Sequence, residues 1–203
     1  MKLLYTVNSP YARKVRIVAL EKRIDIALEE VVLGAPDSVV KHYNPLGKAP
    51  VLILDDDESL YDSRVIVEYL DNRTPLAHLI PQDSGAKIKV RRWEALADGV
   101  CDAIVAVVVE KRKEVAAQSE PFIVKQFDKV NSGLKVLDTD LGKNNWCVNS
   151  AFSLADVALG CMLGYLNLRF GDMVNLAVEY PNLERLNKAL LKRQSFKNTL
   201  PVV

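Results

Sequence analysis

Three short pieces of the chain carry residue types that could do chemistry. Ser9 stands directly before Pro10, a residue favoured at the first helical position, so Ser9 reads as a helix N-cap. A hydroxyl there can donate a hydrogen bond to an anion, and the helix start adds partial positive charge. Asp62-Ser63 has the same form at a second helix start. Its hydroxyl and nearby backbone N–H groups suit a carboxylate, and its aspartate suits an ammonium. Between them lies Asn44-Pro45-Leu46-Gly47-Lys48-Ala49-Pro50-Val51-Leu52, a tight turn that enters a strand. Each piece also has a plain structural reading. Both serines cap helices, and a lone X-Pro bond such as Ala49-Pro50 is most often trans.

The elements that position these pieces follow from periodicity. Residues 2–6 read as a strand, and 10–22 as a helix with Val15, Val18 and Ala19 on one face. Residues 26–33 read as a second strand carrying Ile26, Leu28, Val31 and Val32; 51–54 and 59–61 form a hairpin around the acidic turn 55–58. Ser63 opens a helix with Val65, Ile66, Tyr69 and Leu70 on its apolar face. Strand, helix, strand, short helix, hairpin, helix is the order of a thioredoxin-like α/β unit. Residues 72–85 carry two prolines and a glycine and read as a linker. Beyond it the period is helical throughout, with stripes from Trp93 to Val108, from Ile123 to Leu141 and from Leu154 to Tyr165. Ser153-Leu154-Ala155-Asp156 is a capping signature, and Pro181 starts a last helix. The expected domains are therefore 1–77, α/β, and 85–203, all-α.

Composition narrows the function classes. The 203 residues are 49% hydrophobic and 26% charged, close to an average globular protein. Lys+Arg (27) and Asp+Glu (26) nearly cancel, so no electrostatic footprint for nucleic acid or anionic lipid is present. No apolar run approaches the roughly 20 residues of a membrane span, and the N-terminus is too short an apolar run for a signal peptide. Cys101, Cys147 and Cys161 are an odd number at unrelated spacings, which points to a reducing cytoplasm rather than a disulfide framework. Cys101 and Cys161 fall on apolar faces; Cys147 falls in a loop and is the one expected to be exposed. With no Cys-x-x-Cys pair and both histidines far from any cysteine in sequence, no metal site is expected.

Taken together, the segments 9–22, 44–52, 61–70 and 153–156 resemble the cytosolic glutathione S-transferase superfamily in order, spacing and linker position. Ser9-Pro10-Tyr11-Ala12-Arg13-Lys14-Val15-Arg16 is similar to the serine-type members, including the plant tau class and related bacterial proteins. Ala49 stands where many members carry Val or Ile, a mild change for a contact made through backbone.

The resemblance implies a thioredoxin-like glutathione-binding domain, an all-α second domain, and roles for particular residues. Ser9 would donate to the glutathione thiolate. A thiol of pKa ~8.5 is only a few per cent ionised at neutral pH, and lowering it by roughly two units needs ~2.7 kcal/mol of selective anion stabilisation. Pro50 would be cis and Ala49 would offer its backbone to the cysteinyl unit. Asp62 and Ser63 would hold the γ-glutamyl ammonium and carboxylate. Lys48 is either a solvated lysine or the partner of the glycine carboxylate. Tyr11 and Tyr165 would wall the pocket of a small hydrophobic electrophile. Arg13 and Arg16, early in the first helix, would be solvated as most such arginines are. No cofactor is implied beyond glutathione as co-substrate. The family habit is a cytoplasmic homodimer that buries part of the helix from Trp93 to Val108, with Asp98 facing the partner's glutathione site. Two function classes follow: a transferase, with peroxidase or isomerase activity as variants, or a non-catalytic glutathione-fold binding or interaction subunit.

Overall fold

The computed structural model describes residues 1–202 apart from Pro36, Asp37 and Ala77. The expected domain ends Ala77 and Val203 thus lie outside the described residues. Strand β1 (Lys2–Tyr5) leads into helix α1 (Pro10–Glu21), which crosses over to β2 (Ala27–Glu30). A short helix α2 (Val40–Tyr43) precedes the hairpin β3 (Val51–Ile53) and β4 (Ser59–Leu60), and α3 (Ser63–Asn72) closes the α/β domain. The sheet order is β2-β1-β3-β4. β1 runs parallel to β2, with Leu3 opposite Leu28, and antiparallel to β3, with Leu3 opposite Leu52. Parallel pairing needs a crossover, and α1 supplies it.

Successive side chains of a strand point to opposite faces, so Leu3 and Leu4 can both be buried. Leu3 and Leu52 pack under α1 and α3 in a core that continues into the helical domain, while Leu4, Val51 and Ile53 pack against Val40 of α2. The second strand differs from its sequence expectation. β2 is short and lies at the sheet edge; Leu28 is 50% exposed and Val32, beyond its end, 77%, leaving Val31 as the buried anchor. An edge strand has one neighbour and one layer over it, so β-branched residues there need not be core. The apolar face of α3 is also shifted: Ile66, Val67 and Leu70 are buried and Val65 faces out.

The helical domain contains α4 (Ser84–Glu110), a 3₁₀ turn (Val115–Ala117), α5 (Glu120–Leu141), α6 (Leu154–Phe170), α7 (Leu176–Glu179), α8 (Pro181–Leu190) and α9 (Gln194–Lys197). α6 is the central helix, with 13 of its 17 residues buried. Only a helix apolar on all sides can occupy that place. Its start is a capping box: Asp156 accepts from the Ser153 N–H at 2.8 Å, the Ser153 hydroxyl at 3.1 Å and the Cys147 N–H at 2.8 Å. Trp93 is core, and Trp146 packs edge-on against Phe152. Among the described residues no helix is long and apolar enough to cross a membrane.

The junction between domains is tied by polar groups. Asp71 of α3 accepts from the N–H groups of Leu79 and Ile80 and pairs with the buried Lys22 ammonium at 3.2 Å. Leu79 in turn accepts from the N–H of Leu154, which starts α6. The linker is thereby fixed to both domains.

Candidate functional site

Ser9 is the N-cap of α1, and its side-chain oxygen accepts from the Ala12 N–H at 3.2 Å. Capping uses a lone pair. The hydroxyl proton has no acceptor among the described residues, so it remains available to an incoming group. The cap and an anion-binding role therefore use different halves of one hydroxyl.

The turn before β3 is held by Asn44. Its carbonyl accepts from the Gly47 N–H, its side-chain oxygen from the Leu46 N–H, and its amide donates to the Lys48 carbonyl at 2.8 Å. Gly47 has φ +61°, which glycine adopts without steric cost. Lys48 projects from this turn, exposed and without an ion pair among the described residues. Ala49-Pro50 is cis, as the resemblance implies. Ala49 is half-buried, and its backbone N–H and carbonyl have no partner among the described residues. A backbone donor and acceptor left open beside a strand suit an extended peptide.

At the third piece the Tyr61-Asp62 bond is also cis. Asp62 caps α3 by accepting from the Arg64 N–H at 2.9 Å, and its carbonyl accepts from Ile66. The side chain is exposed, with lone pairs to spare. Ser63 is buried and its hydroxyl makes no hydrogen bond among the described residues. Of the first-turn donors, those of Ser63 and Val65 stay open.

Behind α3 lies a charged network that sequence reasoning missed. Lys14 of α1 is 1% exposed, and its ammonium meets Glu94 at 2.9 Å and Asp98 at 2.9 Å, both on α4. Asp98 also accepts from Arg64 Nε at 3.0 Å, and Arg91 bridges Glu94 and Glu68. Burial works to lower the Lys14 pKa, but the charges of Asp98 and Glu94 prevail and hold it above its ordinary value. Asp98 is buried within its own chain by this network, in place of the open, partner-facing position expected of it. The two carboxylates at 94 and 98 sit one helical turn apart, which was the available signal; nothing local marks Lys14 as their partner.

Arg13 is also buried, contrary to expectation. It donates to Thr199 Oγ1 and to the Phe196 carbonyl, both at 3.4 Å, and lies over the Phe196 ring. Its guanidinium rests on α6 at Gly164, where a Cβ would collide with Nη1. Half-buried Arg16 donates to the Asn198 carbonyl, and the Asn8 amide exchanges two 2.9 Å hydrogen bonds with the backbone of Val202. The last residues of the chain are thus fastened around the start of the Ser9 helix.

Tyr11 lies in the first turn of α1 and donates its hydroxyl to Asp102 of α4. Burial, followed by the neighbouring thiol and carboxylates, pushes its pKa up, so the phenol stays protonated. Tyr165 is buried in α6 with the Arg169 guanidinium over its ring at 5.3 Å, and no described contact joins it to Ser9 or Tyr11. Cys101 and Cys161 are buried packing residues; burial pushes the Cys161 thiol up to about 11 and that of Cys101 well above its usual value. Cys147 is the least buried of the three, yet burial and Asp156 raise its thiol too.

The family model described as the N-terminal domain of glutathione S-transferase matches residues 3–78, and that of the C-terminal domain matches 90–186. The chain is similar to a glutathione S-transferase from Methylobacillus flagellatus KT, solved with glutathione bound. The identity is 62%, with 99% of each chain covered and a TM-score of 0.96. It is 36% identical to the uncharacterized GST-like protein YibF of Escherichia coli K12, over 99% of this chain and 98% of that one. It is 27% identical to glutathione S-transferase U8 of Arabidopsis thaliana, over 99% and 89% respectively. With both halves matched by family models and relatives alike from end to end, the chain belongs to the glutathione S-transferase family.

Proposed function

We propose that the chain is a serine-type glutathione transferase acting on small hydrophobic electrophiles. The cysteinyl unit of glutathione pairs with the backbone of Ala49 beside Pro50. Asp62 takes the γ-glutamyl ammonium, and Ser63 with the open N–H groups of α3 takes its carboxylate. Lys48 pairs with the glycine carboxylate. Ser9 donates its hydroxyl proton in a hydrogen bond to sulfur, which favours the thiolate while the thiol proton leaves to water. The sulfur lone pair then forms a bond to the electrophilic carbon; for an aryl halide the carbon–halogen bond breaks and halide leaves with the electron pair. Tyr11, in the first turn beyond Ser9, walls the electrophile pocket.

The observation that carries this reading is the open backbone pair at Ala49, flanked by two helix starts that each keep donors free. The bound glutathione of the Methylobacillus relative supports it. The reading includes a cytoplasmic two-fold dimer burying part of α4. An open groove of about 470 Å³ lined by Leu60, Val65, Tyr69 and Arg73, and the exposed Ile88 on α4, favour such a partner. Calorimetry with glutathione tests the binding half: the native chain should bind, and Asp62→Ala should weaken binding by ~2 kcal/mol or more. Native affinity in that variant would remove Asp62 from the site.

A further inference from the structure

Three carboxylates stand one turn apart on the face of α4 that meets the α/β domain: Glu94, Asp98 and Asp102. The first two are buried and neutralised by Lys14, Arg64 and Arg91. Asp102 is different. It is exposed, and among the described residues no cation lies within ion-pair distance of it. Its partner is the hydroxyl of Tyr11, which donates to Oδ1. Tyr11 is two residues beyond Ser9, in the first turn of the helix that Ser9 caps. An uncompensated negative charge therefore faces the start of α1 from the helical domain. The phenol fixes one carboxylate oxygen and leaves Oδ2 open, and the phenol proton is committed away from any sulfur bound at Ser9.

We propose that Asp102 sets the charge preference of the second substrate: its open oxygen accepts from an ammonium or N–H group on the electrophile, and the site disfavours electrophiles that carry a carboxylate. This rests on the glutathione transferase reading of the Ser9 site. Unit charges about 6 Å apart in a partly wetted cleft interact strongly enough for roughly tenfold to hundredfold discrimination, and added salt reduces it. Tyr11 acts as a positioning residue, since it orients the carboxylate.

The test uses the full chain, glutathione and a matched pair of aryl chlorides bearing an ammonium or a carboxylate substituent. Each rate is divided by its uncatalysed rate. The ratio of the two kcat/KM values is the readout, because the concentration of active protein cancels from it. The native chain should favour the ammonium substrate by roughly tenfold or more, and Asp102→Asn, which keeps an acceptor for Tyr11, should bring the ratio close to one. Tyr11→Phe should retain the direction of the preference and reduce its size. Equal ratios in the native chain and Asp102→Asn would overturn the proposal. Calorimetric affinities of S-benzylglutathiones bearing the same two groups read the preference without turnover. Preference without turnover keeps Asp102 and overturns Ser9. Turnover without preference does the reverse, and failure of both conjugates to bind overturns the site as a whole.

Discussion

At the start of α1, Ser9 accepts one backbone N–H and keeps its own proton unpaired; at the start of α6, Ser153 gives its proton to Asp156, which also accepts from two backbone N–H groups. The residue types are the same, and so is the local role of ending a helix. The difference lies in where each start sits. α6 begins in the middle of the helical domain, where water is excluded and every donor needs an acceptor. α1 and α3 begin at the junction of the domains, where the remaining groups are left without a partner among the described residues. A helix start becomes a site by what its cap leaves undone. The α3 start adds a second lesson: it is open in front, at Asp62 and Ser63, but fixed from behind through Arg64 and Asp98.

The largest effect should come from removing that backing. Lys14→Met leaves Glu94 and Asp98 facing each other without the cation between them, and the desolvated charges have no water to turn to. A loss of about 3–5 kcal/mol in urea melts is expected. A variant as stable as the native chain would mean that Arg64 and Arg91 suffice, and that the α3 start needs no support from α1.

Ser9→Ala addresses the open side of the comparison. Turnover with glutathione should fall roughly ten- to a thousandfold, the range for one hydrogen bond to a developing anion. The lost cap should cost only ~1 kcal/mol of stability. If stability falls and turnover does not, Ser9 is a cap like Ser153 and the distinction between the two starts collapses.

Helix starts were legible in the sequence because their signals are local: a capping residue, a proline at the first turn, and a change of period within a few residues. The caps at Ser9 and Asp62 were legible for the same reason. What escaped was burial decided by distant partners. Nothing near Lys14 in the sequence shows that Glu94 and Asp98, 80 and 84 residues away, will bury it. Arg13 reads as solvated until Thr199 closes over it from 186 residues away. The exposure of Leu28 depends on β2 being an edge, which no pattern inside the strand reveals. α7 and α9, four residues each, are too short to show a period.

The closed start gives the complementary prediction. Asp156→Ala strands the N–H groups of Cys147 and Ser153 and the Ser153 hydroxyl in the interior. A loss of ~1–3 kcal/mol is expected, more than a surface cap would give. Glutathione affinity should hold, since these groups serve the fold. Urea melts run beside glutathione titrations separate the two. Native stability with lost binding would move the site toward α6.

The smallest effect concerns the other end of α1, where polar groups are closed by an ion pair. Glu21 accepts from Arg193 Nε at 3.0 Å and Nη2 at 2.7 Å, and from the Ser195 hydroxyl at 2.5 Å, which fastens α9 to α1. Burial of the carboxylate acts to raise its pKa, but the hydrogen bonds from Arg193 and Ser195 win, and it lies below its ordinary 4.5. A depressed carboxylate pKa contributes stability that is complete above the unfolded value and fades as pH falls through the folded one. Native chain and Glu21→Gln should therefore differ in stability above pH 4.5 and converge below it. The contact is partly solvated, so the gap should stay under about 1 kcal/mol. Amide exchange of residues 194–199 provides the local readout, with the native segment losing its extra protection in acid. A gap that keeps its size across that window would assign the contribution of Glu21 to packing of its methylenes against α9 instead of to its charge.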